Sequence, residues 1–176
     1  CFIESSMNKT DNYLDKHRDM PNLIKVHSLF EDYEPDKLFD TIILEHVLEH
    51  VDSPVDLLKL VKRWLNPEGR LFLGVPNANS IHRLAAVKME LLSEPSQLNS
   101  RDIALGHRRV YTPATFIKDV EKSGLTVDEW GGVYFKPLSN AQIQDNWSEE
   151  MIEGFFKLGQ DFPEFAAEIF VVCSNN

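Results

Sequence analysis

The stretch FDTIILEHVLEHVDSPVDLLKLVKRWLNPEGRLFLGVPN (Phe39–Asn77) holds the pattern that decides the fold. It opens on FDTIIL (Phe39–Leu44) and closes on LFLGV (Leu71–Val75), two apolar runs that are nearly continuous rather than alternating. Such runs are expected for central strands covered on both faces. Between them, Ser53-Pro54-Val55-Asp56 supplies an N-cap, a proline at the first helical position and an acid at N3. Val55, Leu58, Val61 and Leu65 then recur at helical spacing, while Leu57, Leu60 and Trp64 widen the apolar face enough to suit a sheet. Asn66-Pro67-Glu68-Gly69 is expected to stop the helix. Strand, helix and strand in this order argue for an open α/β sheet with right-handed crossovers.

Working outward, LIKVH (Leu23–His27) and IFVVC (Ile169–Cys173) read as further strands, and Cys1-Phe2-Ile3 as the tail of another, ended by Glu4. Thr112-Pro113 opens a second helix and Gly124 closes it. Two stretches exceed ordinary connections. Residues 77–111 hold a helical pattern over Ile81–Leu92, and residues 137–167 hold another around Trp147–Leu158, rich in phenylalanine. Connections of this length serve as lids or binding elements. The 176 residues fit a single domain, 1–176.

Composition narrows the function. A net charge of −10 disfavours a nucleic-acid duplex or an anionic membrane as main partner. Residues 139–176 carry seven acids and one lysine, so the charge is concentrated at that end. The two cysteines, Cys1 and Cys173, make no disulfide or metal framework, which points to a reducing, cytoplasmic setting. No apolar stretch approaches 18 residues, so no membrane span is expected. The chain opens on Cys rather than Met, so a longer reading frame is expected upstream.

The ordered set of FDTIIL, the VLEH run, the NPEG turn and LFLGVPN resembles the class I S-adenosylmethionine-dependent methyltransferases, closest to their small-molecule branch. GHRRVYTPATFIKDVEKSGLTV (Gly106–Val127) is similar to that family's segment leading into its last crossover helix. The resemblance covers most of the chain from Glu4 to about Val133. It implies a Rossmann-like, mostly parallel sheet whose first strand and Gly-rich loop lie before residue 1, with Glu168–Ser174 as the final strand. No GxGxG occurs in the sequence. It also implies S-adenosylmethionine as cofactor and a small polar acceptor, with sugars, sugar nucleotides and lipid-linked glycans among those the family branch uses.

The resemblance assigns residues. Glu4, followed by Ser5, falls where the family places an acid that accepts hydrogen bonds from the cofactor ribose, a task suited to a carboxylate because it only accepts. Leu29 falls where the family usually has an acid for the adenine amine, so that contact passes to Phe30, Glu31 or Asp32. Glu45 and His46 fall at the carboxyl end of a strand, where open α/β sheets hold their ligands. His46 and His107 are the candidate general bases for a hydroxyl acceptor, each with a purely structural role as the alternative. Arg83, Lys88, Arg101, Arg108 and Arg109 either receive an acceptor phosphate or carboxylate or line a solvated helix face.

His46-Val47-Leu48-Glu49-His50 also matches H-x-x-E-H, a zinc-peptidase motif that requires a helix. A strand ends just before it and Pro54 follows closely, which excludes that reading. The small-RNA 2′-O-methyltransferases have a similar run at this strand end, and resemblance to them implies a divalent metal at His46, Glu49, His50 and His107. The alternative has Glu49 and His50 holding the turn through backbone bonds; the sequence by itself assigns no metal. From another class, a non-catalytic module with the methyltransferase fold is the rival, favoured by Leu29 and the missing loop. A nicotinamide dehydrogenase explains neither the VLEH run nor the NPEG turn. Nothing in the residues fixes an oligomeric state.

Overall fold

The computed structural model describes residues 2–4, 24–138, 142–143 and 146–175. The chain divides into two compact units, Cys1–Lys37 and Leu38–Asn176. In the first, strand β1 (Phe2–Glu4) pairs in parallel with β2 (Lys25–His27), Glu4 opposite His27. A single 3-10 turn, Phe30–Asp32, follows β2. The strand ended by Glu4 and the LIKVH strand are thus both present.

The second unit is built on a four-stranded sheet in the order β3-β4-β6-β5. Strands β3 (Phe39–Glu45) and β4 (Leu65–Pro76) are parallel, whereas β6 (Glu168–Ser174) runs antiparallel to both β4 and β5 (Thr126–Val133). The expected crossover is helix α1 (Pro54–Lys62), which joins β3 to β4. Helices α2 (Ile81–Lys88), α3 (Ser100–Ala104) and α4 (Pro113–Lys122) lie between β4 and β5, and α5 (Glu149–Asp161) between β5 and β6.

Burial along the strands alternates. Leu44 of β3, Leu71, Leu73 and Val75 of β4, and Ile169, Val171 and Cys173 of β6 are buried, as are Leu57, Leu58 and Val61 of α1 and Phe116 and Val120 of α4. Helices α1 and α4 pack on each other and α4 packs on β5. On the other face Ile43 is 67% exposed and its neighbour across the ladder, Phe72, 40%. This differs from the two-sided burial expected of FDTIIL and LFLGV, because within this unit the α1–α4 layer covers one face.

Local chemistry sets the helix ends. Thr112 caps α4 by accepting from the Thr115 N–H at 3.2 Å, and Gly124 takes φ 83° just past the end. The Ser53 hydroxyl does not reach a backbone N–H; it donates to the Asp56 carboxylate at 2.6 Å, which stands in the first turn. Asn66–Gly69, expected as a plain turn, forms an irregularity within β4: Phe39 pairs with Leu65, but Thr41 with Arg70. No described helix is long and apolar enough to cross a membrane.

Candidate functional site

Strand β3 delivers Glu45 and His46 to the carboxyl end of the parallel pair, where the His46 N–H donates to the Gly74 carbonyl of β4 at 3.0 Å. His46 has φ 54°, in the left-handed region that non-glycine residues rarely occupy, and this turns the chain sharply out of the strand. The following turn, closed by the His50 N–H on the Val47 carbonyl at 3.0 Å, carries Glu49 to full burial, 0% exposed. Strand β6 begins at the same end of the sheet, with Glu168 opposite Pro76.

Residues 106–109 clasp this turn. The Arg108 N–H donates to the Glu49 carbonyl at 2.7 Å and its Nε to the His50 carbonyl at 2.8 Å. Arg109 donates from Nη1 to the carbonyls of Leu48 (2.7 Å) and Val51 (2.5 Å), and from Nη2 to that of Asp52 at 3.1 Å. The His50 ring bonds in return, Nδ1 to the Gly106 carbonyl at 3.3 Å. Turn carbonyls that no helix or sheet can satisfy are thus paired by guanidinium forks, whose rigid donors fit several acceptors at once.

The side chains inside the clasp are all titratable. His46 Nδ1 lies 3.1 Å from Glu49 Oε1, and its Nε2 lies 3.6 Å from Glu168 Oε2. The Glu168 carboxylate, then that of Glu49, raises its pKa from 6.5 to about 10. His46 is therefore an imidazolium at neutral pH, with no lone pair to take a proton. Glu49 Oε1 is also 3.9 Å from His50 Nε2, while Glu49 Oε2 is buried with no hydrogen-bond partner. The His50 and His107 rings meet edge to face, centroids 4.7 Å apart. Burial holds His107 below the ordinary imidazole pKa, hence neutral, and its Nδ1 is also enclosed without a hydrogen-bond partner. One ligand atom from each of Glu49, His50 and His107 lies within 4.8 Å of the other two. Glu45, His46 and Glu168 form a second, more exposed group with the same spacing.

The residues expected from the sequence are distributed as follows. Glu45 and His46 stand together on this rim, and His107 lies beside Glu49 and His50. Glu4 ends β1, but its side chain, like Ser5 and Cys1, lies outside the described residues. Leu29 precedes the 3-10 turn with its side chain exposed, Phe30 is half-buried and Glu31 is exposed. His46 is brought to the rim, where the Glu168 and Glu49 carboxylates favour its protonated form.

Three of the five basic candidates are committed elsewhere. Arg83 is buried, with Nη1 on Asp102 Oδ2 at 3.0 Å, Nε on the Pro95 carbonyl at 2.7 Å and Nη2 on the Gln97 carbonyl. Arg108 and Arg109 form the clasp. Lys88 and Arg101 remain exposed. The two long stretches do meet: Asn77, which leads out of β4, donates to the carbonyls of Glu164 and Ala166. Tyr111 is 3% exposed and packs on Phe116, so it belongs to the core. Tyr134 stacks on Phe156 and Trp147 meets Phe155, each pair with centroids 4.5 Å apart.

Sequence reasoning missed Glu168 and Asp102. Glu168 had a signal, an acid directly before an apolar strand. Asp102 sits in Asn99-Ser100-Arg101-Asp102, whose capping box was legible as a short helix start.

The chain matches the family described as "Methyltransferase domain" over residues 4–129. It is 30% identical over 107 residues to a ubiquinone biosynthesis O-methyltransferase of Aeromonas salmonicida, covering 60% of this chain and 43% of that protein. It is 25% identical over 121 residues to the Vibrio vulnificus protein of the same name, covering 67% of this chain and 50% of the relative. The chain thus spans about half the length of the curated relatives it matches. Among solved structures, a methyltransferase from Thermotoga maritima, described as a possible histamine N-methyltransferase, superposes with a TM-score of 0.61 at 14% identity, covering 99% of this chain and 73% of that one. At that identity the likeness concerns the fold, and it agrees with the Rossmann-like reading.

Proposed function

The chain belongs to the methyltransferase-domain family, and from that premise we propose that it transfers a methyl group from S-adenosylmethionine to a hydroxyl of a small polar acceptor. The family match covers residues 4–129, and residues 1–176 are taken as one functional domain around it. The name of the Aeromonas relative, an O-methyltransferase, supports oxygen as the methylated atom; sugar and glycan hydroxyls stay within the acceptor class proposed.

The chemistry of the rim fits the cofactor. Glu45 and Glu168 gather carboxylates where a sulfonium and an ammonium group need anionic surroundings; Glu4, Ser5, Leu29, Phe30 and Glu31 are the positions that the family resemblance assigns to the adenosine. S-adenosylmethionine, when bound, would supply an electrophilic methyl group on a positively charged sulfur. The protein's part is chiefly positioning. His46, fixed between Glu49 and Glu168, offsets part of the acidic charge and holds both carboxylates in place. Glu45, exposed and without a bonded partner among the described residues, accepts the hydroxyl proton.

One observation carries the assignment of the acceptor side of the site. A fully buried carboxylate oxygen, Glu49 Oε2, lacks a partner beside two imidazoles. Leaving such an atom unpaired is costly, and a bound cation would satisfy it. The donor set of one carboxylate and two imidazoles suits a divalent cation. Glu49, His50 and His107 would hold it, and it would polarise the acceptor hydroxyl as a Lewis acid. His46, named with this set by the sequence resemblance, is occupied instead by its two carboxylates.

The test is calorimetric binding of S-adenosylmethionine to the full-length gene product, followed by turnover of hydroxyl acceptors with and without chelator. Cofactor binding, turnover lost to chelator and restored by Mg²⁺ or Mn²⁺, and loss in Glu49→Gln support the reading. Binding without turnover of any acceptor would favour a non-catalytic module. Chelator-insensitive turnover would remove the cation.

A further inference from the structure

His107 can serve the Glu49–His50–His107 group only if one ring nitrogen keeps a free lone pair and the ring is held still. What holds it lies on α3. The His107 N–H donates to the Asp102 carbonyl at 2.9 Å, and its Nδ1 lies 3.5 Å from Asp102 Oδ1, slightly too long for a hydrogen bond. Asp102 is itself anchored. Its Oδ2 accepts from Arg83 Nη1 at 3.0 Å and from the Asn99 N–H at 2.9 Å, and Arg83 is tied in turn to the carbonyls of Pro95 and Gln97. One carboxylate oxygen is therefore doubly used, while the other faces a buried ring nitrogen that has no hydrogen-bond partner.

We propose that Asp102 is a positioning residue: with a cation on His107 Nε2, its Oδ1 closes the remaining gap, accepts the Nδ1–H and so fixes Nε2 as the nitrogen offered. This rests on the cation reading given above. His50 shows the same arrangement one layer closer, with Nδ1 on the Gly106 carbonyl and Nε2 toward Glu49. A histidine ligand whose other nitrogen donates to a carboxylate or carbonyl is fixed in tautomer and orientation and is made more basic, and losing that outer partner typically lowers metal affinity 10–100-fold. Arg83, in the same network, holds the carboxylate aimed.

The experiment measures Mn²⁺ affinity by calorimetry for the wild-type protein, Asp102→Asn and Glu49→Gln. Asparagine can still accept from Arg83 and Asn99, but it presents an N–H to His107 Nδ1. That favours the Nε2–H tautomer, which cannot ligate through Nε2. Asp102→Asn is expected to bind Mn²⁺ roughly 10–100-fold more weakly while its circular dichroism stays native. An Asp102→Asn affinity within threefold of wild type, with Glu49→Gln still impaired, overturns this proposal and leaves the cation site standing. Wild-type protein that binds no Mn²⁺ overturns both. Should Asp102→Asn fail to fold, nitrogen NMR of the wild-type protein loaded with Zn²⁺ decides: His107 protonated at Nδ1 supports the proposal, and ligation through Nδ1 refutes it.

Discussion

Replacing Asn77 by alanine should unfasten the element that begins with β6. Asn77 is 1% exposed and makes three side-chain bonds: Nδ2 to the carbonyls of Glu164 (2.9 Å) and Ala166 (2.8 Å), and Oδ1 from the Asn79 N–H (2.9 Å). Each bond is worth about 1 kcal/mol net, and stranding a buried carbonyl adds on the order of 1 kcal/mol more. The expected loss is therefore about 3–4 kcal/mol, or roughly 10 °C in melting temperature for a chain of this size. Urea denaturation followed by circular dichroism measures it. Because Ala167 leads directly into Glu168, turnover should fall alongside stability. Asn77→Asp provides the sharper control, since it would set carboxylate oxygens against two carbonyl oxygens and should destabilise at least as much. A loss below about 1 kcal/mol for alanine, or a milder effect for aspartate than for alanine, would refute the reasoning.

Other expectations concern packing, pH and the clasp. A Cβ at Gly159 would sit 2.4 Å from the Tyr134 backbone nitrogen and 2.9 Å from the Val133 carbonyl carbon, so Gly159→Ala should cost about 3 kcal/mol. Gly154 in the same helix faces open space, and Gly154→Ala should instead stabilise by up to about 1 kcal/mol; thermal melts of the pair check both signs. His82 is pulled from 6.5 to about 4, first by burial and then by Lys136 and Arg83. The unfolded chain thus binds a proton that the folded one refuses, and stability is full above pH 6.5 and falls as pH drops toward 4. Allowing for partial exposure, the loss is about 1–2 kcal/mol, and His82→Gln should remove that share of the pH slope in urea titrations. An unchanged slope would count against it. Arg109→Lys gives up a fork that reaches three carbonyls and should cost about 2 kcal/mol by denaturant titration, with turnover reduced.

Much of the fold was legible because its signals are local. The Thr112-Pro113 start and the Gly124 stop of α4 follow from capping chemistry within single turns. The strands at Phe39, Leu71 and Glu168 follow from apolar runs. Boundaries shifted where backbone geometry decided. The helix expected over Ile81–Leu92 ends at Lys88, before Glu90 at φ 59°, and α5 starts at Glu149 because Ser148 caps it through the Met151 N–H.

The site was legible at its strand end and not in its partners. Glu45 and His46 could be placed because open α/β sheets expose ligands there. The roles of Arg83, Arg108 and Arg109 were not legible, because the carbonyls they satisfy are set free by turns up to 61 residues away in sequence. Charge alone pointed to an anionic acceptor. The partner of His46 was hidden for a related reason: Glu168 arrives from a strand more than a hundred residues later.

The most direct measurement is anomalous diffraction from crystals of the full-length gene product grown with Mn²⁺ and S-adenosylmethionine. The account predicts a manganese peak bounded by Glu49, His50 and His107, with the cofactor's methyl-bearing sulfur at the rim of Glu45 and His46. A structure with no peak between those three side chains, or with the cofactor bound at another edge of the sheet, would contradict it.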